Sequence, residues 1–273
     1  MKLFTITCLA VILFLPEMSA LNPSRTYRQR PEKYNMKFTE YRVKTQDGDA
    51  ALNAWYFPAK ENTKQLVLIS HNGEGNMADY LRRVDQFRQF SNVMIYDYRG
   101  YGSSSEFEID NKRYIYPHFI DDLQSMINFA VETLSPELSL YGWGIGAGLS
   151  IGVGHQSRVT KRIIADTPFY SIEDLEERFA GDDNPKKFPG EYDEKYEPSV
   201  AINKPPGNKG LSYLLIIGSN DLLFKPEELK EFAAPLKDRV QSIEVIENPD
   251  RKDNFRANKA AYIQAIKRFV KAS

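Results

Sequence analysis

From residue 65 to the C-terminus, short apolar runs alternate with helical stretches, and this rhythm narrows the possible folds more than any other feature. The runs are 66–70, 93–97, 138–141, 163–166, 214–218 and 243–246. Most are continuously apolar, as strands covered on both faces are. Helices are predicted over 78–90, 120–134, 146–156, 227–236 and 258–270. Leu123, Ile127, Ala130, Val131 and Leu134 recur at helical spacing, as do Ile263, Ile266, Phe269 and Val270, so both helices have a core face. Ahead of the repeats, 37–45 and 50–57 alternate apolar with polar residues around Gln46-Asp47-Gly48-Asp49, where Asp-Gly favours a hairpin. A hairpin followed by repeated β-α units predicts an α/β fold: a mostly parallel central sheet, an N-terminal antiparallel hairpin and helices on both faces.

The chain has 273 residues, enough for one such domain over 36–273. One segment, 171–211, breaks the rhythm with a short helical piece at 173–179 and then a charged, Pro- and Tyr-rich stretch. Lying between two core strands, it reads as a small cap insertion. At the start, Lys2, the apolar run 3–15 and Pro16-Glu17-Met18-Ser19-Ala20 read as a signal peptide over 1–20. The run is too short to span a bilayer easily. A secreted or periplasmic protein with no membrane span after cleavage is therefore expected. Residues 21–35 are polar, basic and Pro-containing, and are expected to form an extended, solvated leader. The single cysteine, Cys8, lies inside the signal, so the mature chain is expected to have no thiol, disulfide or Cys-metal site. No metal or other cofactor is expected. Lys plus Arg (36) nearly balances Asp plus Glu (37), which gives no indication of a nucleic-acid partner.

In a sheet of this kind ligands meet the carboxyl ends of the strands. The first such junction, Ser70-His71-Asn72-Gly73-Glu74-Gly75-Asn76, is a Gly- and Asn-rich turn that can point backbone N–H groups inward. His71 alone reads as a hydrogen-bonded structural residue. The second, Asp97-Tyr98-Arg99-Gly100-Tyr101-Gly102-Ser103-Ser104, reads as a structural turn. The third runs from a short apolar strand into Gly142-Trp143-Gly144-Ile145-Gly146 and then a small-residue helix. A sharp strand-to-helix turn strains its central residue by roughly 1–3 kcal/mol when that residue is not glycine; Gly144 adopts such a conformation freely. Ser150 lies beyond the turn. A rival reading takes Gly142-x-Gly144-x-x-Ala147 as a loose dinucleotide fingerprint with Asp166 as its acid, although two strand-helix units precede it. The fourth junction, Gly218-Ser219-Asn220-Asp221, places Asp221 either to orient a base or simply to start a turn.

Together these segments resemble the α/β-hydrolase superfamily, in its branch of small, lightly capped serine hydrolases that includes depalmitoylases and aminopeptidase-like esterases. His71-Asn72-Gly73 is similar to the family's His-Gly oxyanion loop, with Asn72 where Gly is usual. The run from Asp97 to Ser104 matches closely. The turn at Gly144 matches the G-x-S-x-G elbow except at the nucleophile. Asp166-Thr167-Pro168-Phe169 fits the segment after the next strand, and Asp221 fits the acid. The resemblance implies a catalytic His after Asp221, but the three histidines are His71, His118 and His155. The loop Glu247-Asn248-Pro249-Asp250-Arg251-Lys252-Asp253-Asn254 has none, and its Arg and exposed Lys are protonated and cannot act as bases.

The resemblance therefore implies the fold together with a pseudo-hydrolase: no intact catalytic residues, Asp221 vestigial, and Gly144 at the nucleophile position. The expected ligand-binding set is Asn72, Gly73, Gly144, Ile145 and Asp221, with the N–H groups of Ile145 and of Asn72 or Gly73 forming a small anion or carbonyl site. A small acyl- or carboxylate-bearing ligand, or a protein partner held through the cap, is expected. Asp221 is expected to pair with Arg251 or Lys252. The alternative is an ester or amide hydrolase that uses an atypical site.

Overall fold

The computed structural model describes residues 21–134, 136–181, 185–249 and 253–272. The expected signal peptide lies outside them, as do Asp250, Arg251 and Lys252. The strands are β1 (Asn22–Pro23), β2 (Thr39–Lys44), β3 (Ala51–Phe57), β4 (Gln65–Ser70), β5 (Glu74–Gly75), β6 (Asn92–Tyr96), β7 (Glu137–Trp143), β8 (Thr160–Asp166), β9 (Ser212–Gly218) and β10 (Val240–Ile246). The helices are α1 (Leu81–Phe87), α2 (His118–Leu134), α3 (Ile145–Gln156), α4 (Ile172–Phe179), α5 (Pro198–Ala201), α6 (Pro226–Ala233), α7 (Asn254–Ala257) and α8 (Lys259–Lys271).

Eight strands form one sheet in the order β10-β9-β8-β7-β4-β6-β3-β2. From β10 to β6 the neighbours are parallel, and β3 and β2 close that edge antiparallel. Successive side chains of β4 enter opposite cores, Leu66 and Leu68 on one face and Val67 and Ile69 on the other. This is why the inner strands read as unbroken apolar runs. Helices α2 and α3 cover the first face with Phe119, Leu123, Met126, Leu149 and Ile151. On the other face, α1 and α8 supply Leu81, Val84, Phe87, Tyr262, Ile266 and Phe269. The predicted helix 78–90 is divided: a 3-10 turn, Met77–Tyr80, is capped by Asn76 and leads into α1. Helix 227–236 similarly ends early and continues as 3-10 structure over Ala234–Arg239.

Winding proceeds from β4 toward β6 and then crosses to β7 on the opposite side of β4. The crevice at that reversal lies between the ends of β4 and β7, where the Asn72 loop meets the turn at Gly144. Within 171–211, α4 buries Ile172, Leu175 and Phe179. The backbone of Tyr196 lies against Gly152 of α3. That segment is packed on the body.

The leader departs from the solvated tail expected of it. Leu21 is fully buried, and β1 pairs in parallel with β5 through Asn22 N–H to Gly73 O (2.9 Å) and Ser24 N–H to Gly75 O (2.8 Å). Tyr27 packs 4.9 Å from the Trp55 ring and donates to Asp97 Oδ2 at 2.6 Å. Sparse apolar residues in a polar stretch are anchors here, because each finds a preformed socket on the domain. No helix of the described residues is long and apolar enough to cross a membrane.

Candidate functional site

Gly144 stands at the end of β7 with φ 55° and ψ −117°, at the N-cap of α3. Its N–H donates to Asp166 O at 2.9 Å, and its carbonyl accepts from the N–H groups of Ala147 (3.0 Å) and Gly148 (3.2 Å). A Cβ at Gly146 would collide with Ser70 O, so glycine there lets α3 start hard against the end of β4. At Gly144 the nearest atom to an added Cβ is Asn72 Cβ, 3.4 Å away. The turn thus keeps room for a side chain and carries none.

The backbone donors expected around it are mostly engaged. Asn72 N–H donates to the Tyr80 hydroxyl (2.9 Å), which donates back to Asn72 Oδ1 (2.8 Å). Gly73 N–H donates to His71 Nδ1 at 3.1 Å. Leu21 closes the space between them: a Cβ on Gly73 would lie 2.7 Å from Leu21 Cδ2 and 3.3 Å from Ile145 Cδ1. The leader therefore packs an apolar side chain against the Gly73 backbone, with the Ile145 side chain near the same point.

The histidines are elsewhere in role or place. His71 is fully buried among Tyr98, Tyr101 and Tyr80, and burial pushes it down to about 3, so it is neutral. Its Nε2 lies 4.0 Å from Asp97 Oδ1. His155 is ten residues along α3 from Ile145, about 15 Å at the helical rise, where it bonds Tyr213 and Lys204 O. His118 opens α2 beside Phe107. Ser150 is buried within α3, its hydroxyl without a partner among the described residues.

Where β8 ends, a network that the sequence reading missed bolts the turn in place. Asp166 is fully buried. It accepts from Tyr262 Oη (2.6 Å), Asn254 Nδ2 (2.7 Å) and Thr167 Oγ1 (3.2 Å). Tyr262 meets Tyr141 of β7 at 2.8 Å, and Asn248 donates to Asn254 Oδ1 at 2.9 Å. Every oxygen of Asp166 is thus committed within the core, which removes it as a ribose acceptor and with it the dinucleotide reading. The signal for the network was Asn248 and Asn254 flanking a loop, which carries no periodicity.

Burial raises Asp166 to about 6, with the Tyr262 and Asn254 hydrogen bonds working against the shift. The unfolded value is about 3.9, so between those limits the folded chain holds more protons. The contribution of Asp166 to stability accordingly falls as pH rises from about 4 to about 6, by roughly 3 kcal/mol. Asp166→Asn keeps a neutral partner for Tyr262 and Asn254. Its urea midpoint at about pH 7, taken relative to that at about pH 4.5, is expected to lie higher than in the wild type. Asp97, raised by burial to about 7, acts in the same direction in both proteins, and His71 acts oppositely in both, so the difference isolates Asp166.

On the outer side of the turn stands Arg83 of α1, also unforeseen. Its guanidinium lies 4.7 Å from the Trp143 ring, 5.1 Å from Tyr80 and 4.9 Å from Phe255, and its Nη2 binds Asp253. Burial opposes its charge, but the neighbouring Tyr141 and Tyr262 phenols and the Asp253 carboxylate outweigh that and hold its pKa above the ordinary value. Asp253 belongs to the loop where the resemblance would place the catalytic His. Asp221 does not reach this cluster by any hydrogen bond. It accepts from the N–H groups of Leu223 and Phe224 (3.0 Å each), and burial raises its pKa. Its expected partners Arg251 and Lys252 lie outside the described residues. The structure thus brings Asn72 to Gly144 and Gly73 to Ile145, with Leu21 against Gly73, while Asp221 caps its own turn.

No protein-family model and no curated protein matches the chain. Solved structures do. An esterase from Pyrococcus furiosus superposes with a TM-score of 0.70 at 18% identity, covering 92% of this chain and 97% of that one. A lidless α/β serine hydrolase from Xanthomonas campestris gives 0.59 at 14% identity, over 87% and 97%. The α/β hydrolase GrgF from Penicillium gives 0.65 at 14% identity, over 86% and 98%. The chain has the α/β-hydrolase fold.

Proposed function

We propose that this chain is an exported α/β-hydrolase-fold protein that binds a ligand at the crevice beside Gly144 and does not turn it over. The observation that carries this is the turn itself: its backbone is held in an elbow conformation, and its central residue has no oxygen to attack with. Three features support the absence of turnover independently. The Asn72 and Gly73 N–H groups are bonded within the protein, Leu21 packs against Gly73, and Asp253, bound by Arg83, lies in the loop where the resemblance would place the base. A fold alone assigns no activity.

The test is direct. The purified mature protein is expected to take no label from a fluorophosphonate probe and to leave short-chain aryl esters intact. Labelling above that of the heat-denatured protein would overturn the reading. Gly144→Ser has room but must place a non-glycine residue at φ 55°, so it is expected to cost about 1–3 kcal/mol in urea denaturation. It should remain silent toward the same esters, having no base. Export is checked by amino-terminal sequencing of the protein recovered outside the cytoplasm, where Leu21 is expected first.

A further inference from the structure

We propose that the cleft on the Arg83 side of the elbow is a binding site for a small organic anion carrying two or more negative charges, a phosphate ester or a polycarboxylate. This deepens the binding reading and rests on it. The cleft encloses about 1250 Å³ between the leader, the Asn72 loop, α1 and the start of α7. Arg25, Arg28, Arg82, Arg83 and Arg256 line it, against the carboxylates Glu74, Asp79 and Asp253.

One of those three acids is already ion-paired, and another is held by a backbone N–H. Asp253 is shared by Arg83 and, at 3.6 Å, by Arg256. Asp79 accepts the Asn76 N–H at 3.2 Å. Arg28 and Arg82, both exposed, have no acceptor among the described residues, and Arg25 reaches only Tyr101 O at 3.3 Å. Five guanidiniums against three carboxylates leave the cleft with a net charge of +2.

The choice of cation is equally telling. Lysine outnumbers arginine in the chain, 20 to 16, yet no lysine lines the cleft among the described residues. Arginine's planar fork meets phosphate and carboxylate oxygens two at a time, which a point-charge ammonium cannot do. Arg83 is also held ready. It is 4% exposed and clamped by three aromatic rings; only its Nη2 has an acceptor among the described residues, and its Nε is buried without one. Arg25 and Arg28 come from the leader while Arg82 and Arg83 come from α1, so an anion in the cleft would join the two.

Calorimetric titration of the mature protein at low ionic strength, with pyrophosphate, citrate and acetate, tests this. Saturable binding of pyrophosphate or citrate is expected, with acetate showing none and added salt weakening the interaction. Tighter pyrophosphate identifies a phosphate site, and tighter citrate a polycarboxylate site. The double variant Arg28→Glu with Arg82→Glu is expected to lose roughly tenfold or more in affinity with an unchanged circular-dichroism spectrum, since both side chains are exposed. Arg268→Glu, on α8 and paired with Glu244 at 3.2 Å, is the control and should change nothing. Absence of saturation with both polyanions, or equal binding by the double variant, would overturn the proposal. Fluorophosphonate labelling would sink the inactive reading while leaving this result standing, so the two failures are separable.

Discussion

Arg99→Ala is expected to lower the unfolding free energy by about 3–5 kcal/mol, read as a shift in urea midpoint. Arg99 is 2% exposed. It donates through Nε to Asp122 Oδ1 (2.8 Å) and through Nη2 to Asp47 (2.9 Å) and Asp121 (3.3 Å). Its backbone N–H also donates to Asp122 Oδ2 at 3.0 Å. It thereby ties the hairpin turn to the first turns of α2 and to the end of β6. Removing it strands Asp122, a fully buried carboxylate that burial raises to about 6 even with its partner present. The defect has a pH signature. Without its cation Asp122 titrates higher still, and a raised carboxylate loses its contribution as pH rises, so the variant should be closer to wild type at about pH 5 than at about pH 8. The double variant Arg99→Leu with Asp122→Asn should recover part of the loss, because it removes the buried orphan charge and keeps an acceptor for the residue-99 N–H, while Asp47 and Asp121 are partly exposed.

Leu21→Ala is expected to release the leader. A buried leucine cut to alanine costs about 2–5 kcal/mol where the site cannot collapse. Here the surrounding Gly73, Ile145 and Tyr101 belong to the framework of the domain. Since the leader lies ahead of β2 and outside the main sheet, the loss should appear as local opening more than as global unfolding. Tryptic cleavage after Arg25 and Arg28 is therefore the sensitive measurement, and the rate should rise roughly thirtyfold or more at an unchanged urea midpoint. An unchanged cleavage rate would mean that β1 and Tyr27 hold the leader without its first anchor.

The sheet was legible from sequence because burial on both faces leaves an unmistakable trace. Residues 66–70 and 214–218 are strands because every position meets a core, and the helices with a core stripe, α2 and α8, were placed to within a few residues. Gly144 was legible for a local reason: strand, sharp turn and helix are consecutive in the chain. What escaped depends on distant pairing. Leu21, Tyr27 and Arg83 have no periodic neighbours, and their partners Gly73, Asp97 and Asp253 are fixed only once the sheet has formed. Asp166 read as an ordinary strand end because its three donors come from Thr167, Asn254 and Tyr262, the last two on separate later helices.

The chain has only two tryptophans, and the fold has put them to different uses. Trp55 is sealed in the core, whereas Trp143 is partly exposed on the cleft wall with a guanidinium over its ring. The molecule consequently carries its own optical gauge. A Trp143→Phe variant would leave Trp55 alone to report unfolding, and the emission it loses from the folded state would report whatever displaces or neutralises Arg83.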